Sequence, residues 1–98
     1  MIINKKSEGE KLTLIISGRL DTNSSPKLET ELRQSVGGIK ELVFDFSEVE
    51  YISSAGLRVL LAAQKVMNRQ GSMKLIGVSS EVMEVFEITG FSDILTIE

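Results

Sequence analysis

Apolar residues along this chain alternate between short dense runs and four-residue intervals, and the alternation predicts strands and helices in turn. Ile2 to Lys6 reads as a short edge strand. Leu12-Thr13-Leu14-Ile15-Ile16 reads as a second strand, and its nearly continuous apolar character is that of a strand buried on both faces. Between them, Ser7-Glu8-Gly9-Glu10 supplies the turn of a hairpin. Gly18 ends the second strand, and residues 19–23 form a loop. Ser24, Ser25 and Pro26 then mark a helix start, since Ser caps free amides and Pro is tolerated in the first turn. Leu28, Leu32 and Val36 recur at four-residue spacing, with Lys27, Glu29, Glu31 and Arg33 toward water, and Gly37-Gly38 stops the helix.

The pattern then repeats. Glu41 to Phe46 is a third strand, a helix runs from about Ala55 to Asn68, and Gly71 closes it ahead of a strand from Met73 to Val78. Ser79 or Ser80 caps a third helix, which carries Val82, Val85 and Phe86 on one face and ends at Gly90. Ile94 to Ile97 reads as a last short strand. The order β-β-α-β-α-β-α-β predicts an α/β domain, its mixed sheet mostly parallel, with an antiparallel N-terminal hairpin and three main helices. The 98 residues suffice for one domain, 1–98, with one modest core.

Composition narrows the chemistry. Without a histidine or a cysteine, the chain has no Ser-His-Asp or Cys-His nucleophile pair, no disulfide and no zinc site of the usual kinds. The remaining acid–base candidates are scattered carboxylates, lysines and Tyr51, so the chain is read as a non-enzyme. Neither phosphate-cradling motif, GxxxxGK[ST] or GxGxxG, is present, and no cofactor is expected. A net charge of -3 argues against nucleic-acid and anionic-membrane partners. No apolar run approaches the roughly 18–20 residues of a membrane span, and no secretory signal opens the chain, which points to the cytoplasm.

One stretch stands out. Leu42-Val43-Phe44-Asp45-Phe46-Ser47 is followed by Tyr51-Ile52-Ser53-Ser54-Ala55-Gly56-Leu57-Arg58, so two serines open a long apolar helix. A serine there is commonly an N-cap, a role assigned to Ser54 in this reading. A phosphate on the same residue would gain from the free amides and the helix dipole, so cap and phosphoacceptor are compatible roles. Gly56 leaves the first turn bare for the approach of another backbone, and a small apolar area near Gly56, Leu57 and Leu60 would suit a partner. Asp21 and Asp45 each read as a cap or turn residue, Asp45 above all; the other reading clusters both with the serines at one end of the sheet, where sites in α/β folds collect.

Three stretches together resemble the STAS domain, the family of anti-sigma factor antagonists and of the cytoplasmic tails of sulfate transporters. Ile15-Ile16-Ser17-Gly18-Arg19-Leu20-Asp21 is similar to its strand followed by G-x-L-D. Leu42 to Ser47 is similar to its apolar strand ending in D-[LF]-S, and Tyr51 to Leu57 to its signature [FYM]-[ID]-[DS]-S-[STA]-G-L. The resemblance implies a free-standing anti-sigma factor antagonist, since no transporter segment precedes the domain. Such a protein binds an anti-sigma factor, often a serine kinase, and so frees a sigma factor. The kinase phosphorylates the serine two positions before the signature glycine, and a phosphatase reverses the step. Counting back from Gly56 gives Ser54, with Asp21 near it and Ser53, Ala55, Gly56, Leu57 and Arg58 in the partner-binding stretch.

The chain departs from many phosphorylated members in having Ser53 for the preceding Asp and Ala55 for the following Ser or Thr. Ser53 is therefore the alternative acceptor. A second reading is a scaffold subunit of a signalling or lipid-transport complex, in which the serines are caps only. A lone domain of this kind is expected to be monomeric when free.

Overall fold

The computed structural model describes residues 1–98 and arranges them as β1 (Ile2–Glu8), β2 (Lys11–Leu20), α1 (Ser25–Ser35), β3 (Glu41–Ile52), α2 (Ser54–Gln70), β4 (Ser72–Ile76) and α3 (Ser80–Thr89), then a 3-10 turn, Phe91–Asp93. The strands form one sheet in the order β1-β2-β3-β4. β1 and β2 pair antiparallel from Ile2↔Ser17 to Glu8↔Lys11, while β2, β3 and β4 run parallel through crossovers that contain α1 and α2. The mixed sheet with its N-terminal hairpin is the expected architecture.

Burial along β2 alternates, which corrects the expectation of a strand covered on both faces. Leu12, Leu14, Ile16 and Leu20 are fully buried, whereas Thr13, Ile15 and Ser17 between them are only half-buried. The buried set belongs to one cluster with Leu42, Phe44 and Phe46 of β3, Leu28 and Leu32 of α1, Leu57, Leu60 and Met67 of α2, and Val82 and Phe86 of α3. All three helices therefore pack against one face of the sheet. Phe46 links the layers: its ring lies 6.2 Å from that of Phe44, edge-on, and 6.4 Å from that of Phe86. Val43, pointing the opposite way by the period-two rule, is outside this cluster.

β2 and β3 are longer than their patterns predict because their pairing contains two irregularities. Ile15 faces Asp45 but Ser17 faces Glu48, and Gly18 faces Val49 but Arg19 faces Tyr51, so β3 gains an extra residue at each place. Gly18 adopts φ +99, a region open to glycine, and carries β2 through the second bulge instead of ending it. Residues 47–52, beyond the end expected for the third strand, are consequently strand, with Val49 and Ile52 buried.

Two further corrections concern element ends. Ser24 gives α1 no side-chain cap, although Pro26 does sit in its first turn. The expected strand from Ile94 to Ile97 shrinks to a single parallel bridge, Leu75↔Ile97, after the 3-10 turn; Leu95 is buried in the core instead. Ser79 caps α3 by accepting from the Val82 N–H at 3.2 Å, and Gly90 ends it, as the sequence predicts.

Candidate regulatory site at the start of the second helix

The register that ends β2 and β3 side by side, Leu20 opposite Ile52, also places the α1 and α2 entrances together. The Ser53 N–H donates to the Leu20 carbonyl oxygen at 2.9 Å, tying the turn before α2 to the end of β2. Ser53, extended at φ -101 and ψ 174, is the N-cap: its hydroxyl oxygen accepts from the Gly56 N–H at 3.5 Å, and its carbonyl accepts from the Leu57 N–H at 3.0 Å. Ser54, assigned the cap in the sequence reading, is instead the first helical residue, and it is exposed. The two serines thus divide the roles that one was expected to combine.

Gly56 is buried, and the reason is steric. A Cβ on it would lie 2.8 Å from Leu20 Cγ, 2.9 Å from Ile52 Cγ1 and 3.0 Å from the Leu20 carbonyl oxygen. Its missing side chain seats the first turn of α2 on the strand ends, so it does not serve the approach of another backbone. Leu57 and Leu60 are also interior, which removes the apolar area expected around them from the surface. A shallow apolar groove lies one helix face away. Exposed Ala62 and Val66, half-buried Val36 and the edges of buried Leu32, Val59 and Ala63 line about 200 Å3, flanked by Glu29 and Arg33. A concavity of about 320 Å3, lined by Thr22, Ser25, Pro26, Glu29, Ala55, Arg58 and Val59, continues it toward Ser54. The spacing of Val59, Ala62, Ala63 and Val66, at i, i+3, i+4 and i+7, was the signal for that stripe.

Asp21 follows Leu20, whose carbonyl holds the Ser53 N–H, and its carboxylate is engaged locally. Its Oδ1 accepts from the N–H groups of Asn23 and Ser24, each at 3.0 Å, an Asx turn that fixes the chain just ahead of α1. The Ser24 hydroxyl accepts from the Asp21 N–H at 2.9 Å and donates to the Arg19 carbonyl oxygen at 2.6 Å. The Ser24 N–H and hydroxyl hold the Asp21 carboxyl below its ordinary range against an opposing effect of burial, with lesser help from the Asn23 N–H and the Arg19 charge. Arg19 Nε is 3.7 Å from Asp21 Oδ2, and the guanidinium lies 4.2 Å over the Tyr51 ring. Neither Arg19 nor Tyr51 was singled out as a partner-binding residue, because the second bulge that makes them cross-strand neighbours has no signal in either strand alone.

Asp45 stands apart. It faces Ile15 and Ile76, seven residues before Ile52 on β3, which is about 20 Å along the strand, and its carboxylate accepts from the Ser47 N–H and hydroxyl. Asp45 is thus the turn residue that the first reading made it, and it does not join the serines at the strand ends. No group of three or more carboxylates comes together that could hold a metal.

This arrangement occurs in a chain whose residues 2–98 match the sequence profile of the STAS domain. The chain belongs to the STAS domain family. The anti-sigma-B factor antagonist of Listeria monocytogenes is 35% identical over 98 residues, covering 96% of this chain and 84% of that protein. An anti-sigma factor antagonist from Mycobacterium paratuberculosis shares the fold with a TM-score of 0.88 at 21% identity, over 98% of this chain and 83% of that one. The Bacillus cell fate determinant SpoIIAA in its phosphorylated form has a TM-score of 0.77 at 15% identity, over 99% of this STAS chain and 91% of that one. Within the STAS fold, Ser54 thus sits exposed at the head of α2, flanked by a capped turn and by the Arg19–Tyr51 pair.

Proposed function

We propose that this STAS domain is an anti-sigma factor antagonist whose binding surface is the turn from Tyr51 through Ser54 and the exposed start of α2. The observation that carries the reading is the division of labour at Ser53 and Ser54. Because Ser53 caps the helix and Ser54 makes no hydrogen bond through its hydroxyl, Ser54 can be modified without unmaking the turn. Unmodified, the loop docks on an anti-sigma factor and releases the sigma factor held there, in the cytoplasm where transcription proceeds. Asp21 supports docking by fixing the adjacent loop, and Arg19 and Tyr51 flank the contact.

A serine kinase activity of the partner transfers the γ-phosphoryl group of ATP to Ser54 Oγ, which gives up its proton as ADP leaves. The free first-turn amides and the absence of any acidic residue in the first turn of α2 make the anion tolerable to the helix itself. To the partner it is not tolerable: roughly -1.5 to -2 charges must be desolvated at the contact, and a facing carboxylate would be repelled. A phosphatase restores the binding form. SpoIIAA, a protein of the same fold, has been solved both unphosphorylated and phosphorylated, and this chain matches the two forms with TM-scores of 0.78 and 0.77. The test is a binding titration with the purified cognate anti-sigma factor. Ser54→Ala should bind like the unmodified protein and resist the kinase, whereas Ser54→Asp should bind at least about tenfold more weakly. Equal affinity of the two variants would defeat the proposal.

A further inference from the structure

Arg58 lies four residues after Ser54 on α2, on the turn directly beneath it, where side chains of a helix meet at about 5–6 Å between Cβ atoms. Both residues are exposed. Arg58 takes part in none of the ion pairs of the structure. Glu29 of α1, which shares the wall of the adjoining concavity with Arg58, has its carboxylate 3.3 Å from Arg33. Asp21, which follows the last residue of β2, is engaged by Arg19 and by two backbone N–H groups. The cation one turn from Ser54 is therefore uncommitted, and Glu29 and Asp21 are each paired with another arginine.

We propose that Arg58 is the cationic partner of a phosphate on Ser54, closing a bidentate i,i+4 clamp along the helix. The inference rests on Ser54 being the acceptor, as argued above, and adds how the modified state is held. An anion N-terminal to a cation at this spacing is the favourable orientation on a helix, and a guanidinium matches the phosphate oxygens two at a time. The consequence for regulation is that modification does two things at once. It adds an anion at Ser54 and withdraws the Arg58 guanidinium from the surface that the unmodified protein offers to a partner. A patch that is locally cationic becomes locally anionic and internally paired.

The clamp can be tested on the protein alone, with no kinase or partner. Phosphoserine is introduced at position 54 by genetic encoding, in the full chain and in chains carrying Arg58→Gln or Arg58→Lys. The second ionisation of the phosphate is then followed by phosphorus NMR as a function of pH. Helix amides act equally on all three proteins, so a difference between them reports residue 58. The proposal expects the midpoint with Arg58 to lie about half a pH unit below that with Arg58→Gln, and Arg58→Lys to fall between. Coincident midpoints would overturn it. Circular dichroism of the unphosphorylated variants, expected to be unchanged, verifies that each is folded. A failure here leaves Ser54 free to be the acceptor, while a failure of the kinase to modify Ser54 leaves the clamp measurement intact, so the two proposals fail separately.

Discussion

Replacing Gly56 by alanine tests whether the head of α2 is seated by close packing. The added methyl would meet Leu20 Cγ at 2.8 Å, Ile52 Cγ1 at 2.9 Å and the Leu20 carbonyl oxygen at 3.0 Å. The first two belong to side chains that are 0% and 3% exposed, so neither can swing into solvent. The third is backbone, and that same carbonyl accepts the Ser53 N–H, so moving it disturbs the turn carrying both serines. Overpacking of this kind costs about 1–3 kcal/mol. Alanine returns at most about 1 kcal/mol through helix propensity and a less flexible unfolded chain. The net expectation is a loss of about 1–2 kcal/mol, equivalent to a Tm lower by about 4–15 °C for a domain of this size. Urea unfolding followed by circular dichroism measures it, with a lower midpoint at an unchanged slope as the expected pattern. An alanine variant as stable as the parent, or more so, would refute the close-packing argument.

Three further outcomes follow from the same geometry. Ser53→Ala should cost about 0.5–1 kcal/mol in urea unfolding, the lower part of the capping range because its bond to Gly56 is long, while Ser54→Ala should be within about 0.5 kcal/mol of the parent; a reversed order would mean that Ser54 is the cap. Asp21 has a lowered folded-state pKa, so its contribution to stability is present above its unfolded value near about 3.9 and is lost as pH falls through the folded value. Asp21→Asn should accordingly be less stable than the parent at neutral pH, with the difference narrowing on acidification below about pH 4, as read by thermal melts across pH; a gap independent of pH would assign the effect to shape alone. Tyr51→Ala should weaken capture of the anti-sigma factor while leaving the melting curve nearly in place, since the ring is 41% exposed and stacks only on the Arg19 surface. A surface titration that shows undiminished affinity would remove the Arg19–Tyr51 pair from the contact.

Local patterns announced much of this fold, and the failures occur where a feature belongs to a pair of strands or to a neighbouring layer. α1 and α3 were legible because their apolar residues keep helical spacing and because Ser79 and Gly90 act through bonds within a few residues of chain. The hairpin was legible for a similar reason. The bulges at Ile15/Ser17 and Gly18/Arg19 were not, since an extra residue on β3 is a property of its pairing with β2. That single omission shortened both strands and hid the meeting of Arg19 with Tyr51. The dense apolar run in β2 fits one-sided or two-sided burial equally well until the positions of all three helices are known. Likewise Ser53 and Ser54 have equal capping propensity, and only the β-region conformation of Ser53 and its tie to Leu20 decide between them. Gly56 and Leu57 were read as surface because the sequence does not show that α2 begins directly above two strand ends.

The central claim is that Ser54, and not the capping Ser53, receives the phosphate. Incubation of the intact protein with its cognate anti-sigma kinase and ATP, followed by tandem mass spectrometry that separates adjacent serines, tests it most directly. The expected result is phosphate on Ser54, lost in Ser54→Ala and retained in Ser53→Ala. Phosphate on Ser53 alone, or on neither serine, would contradict it.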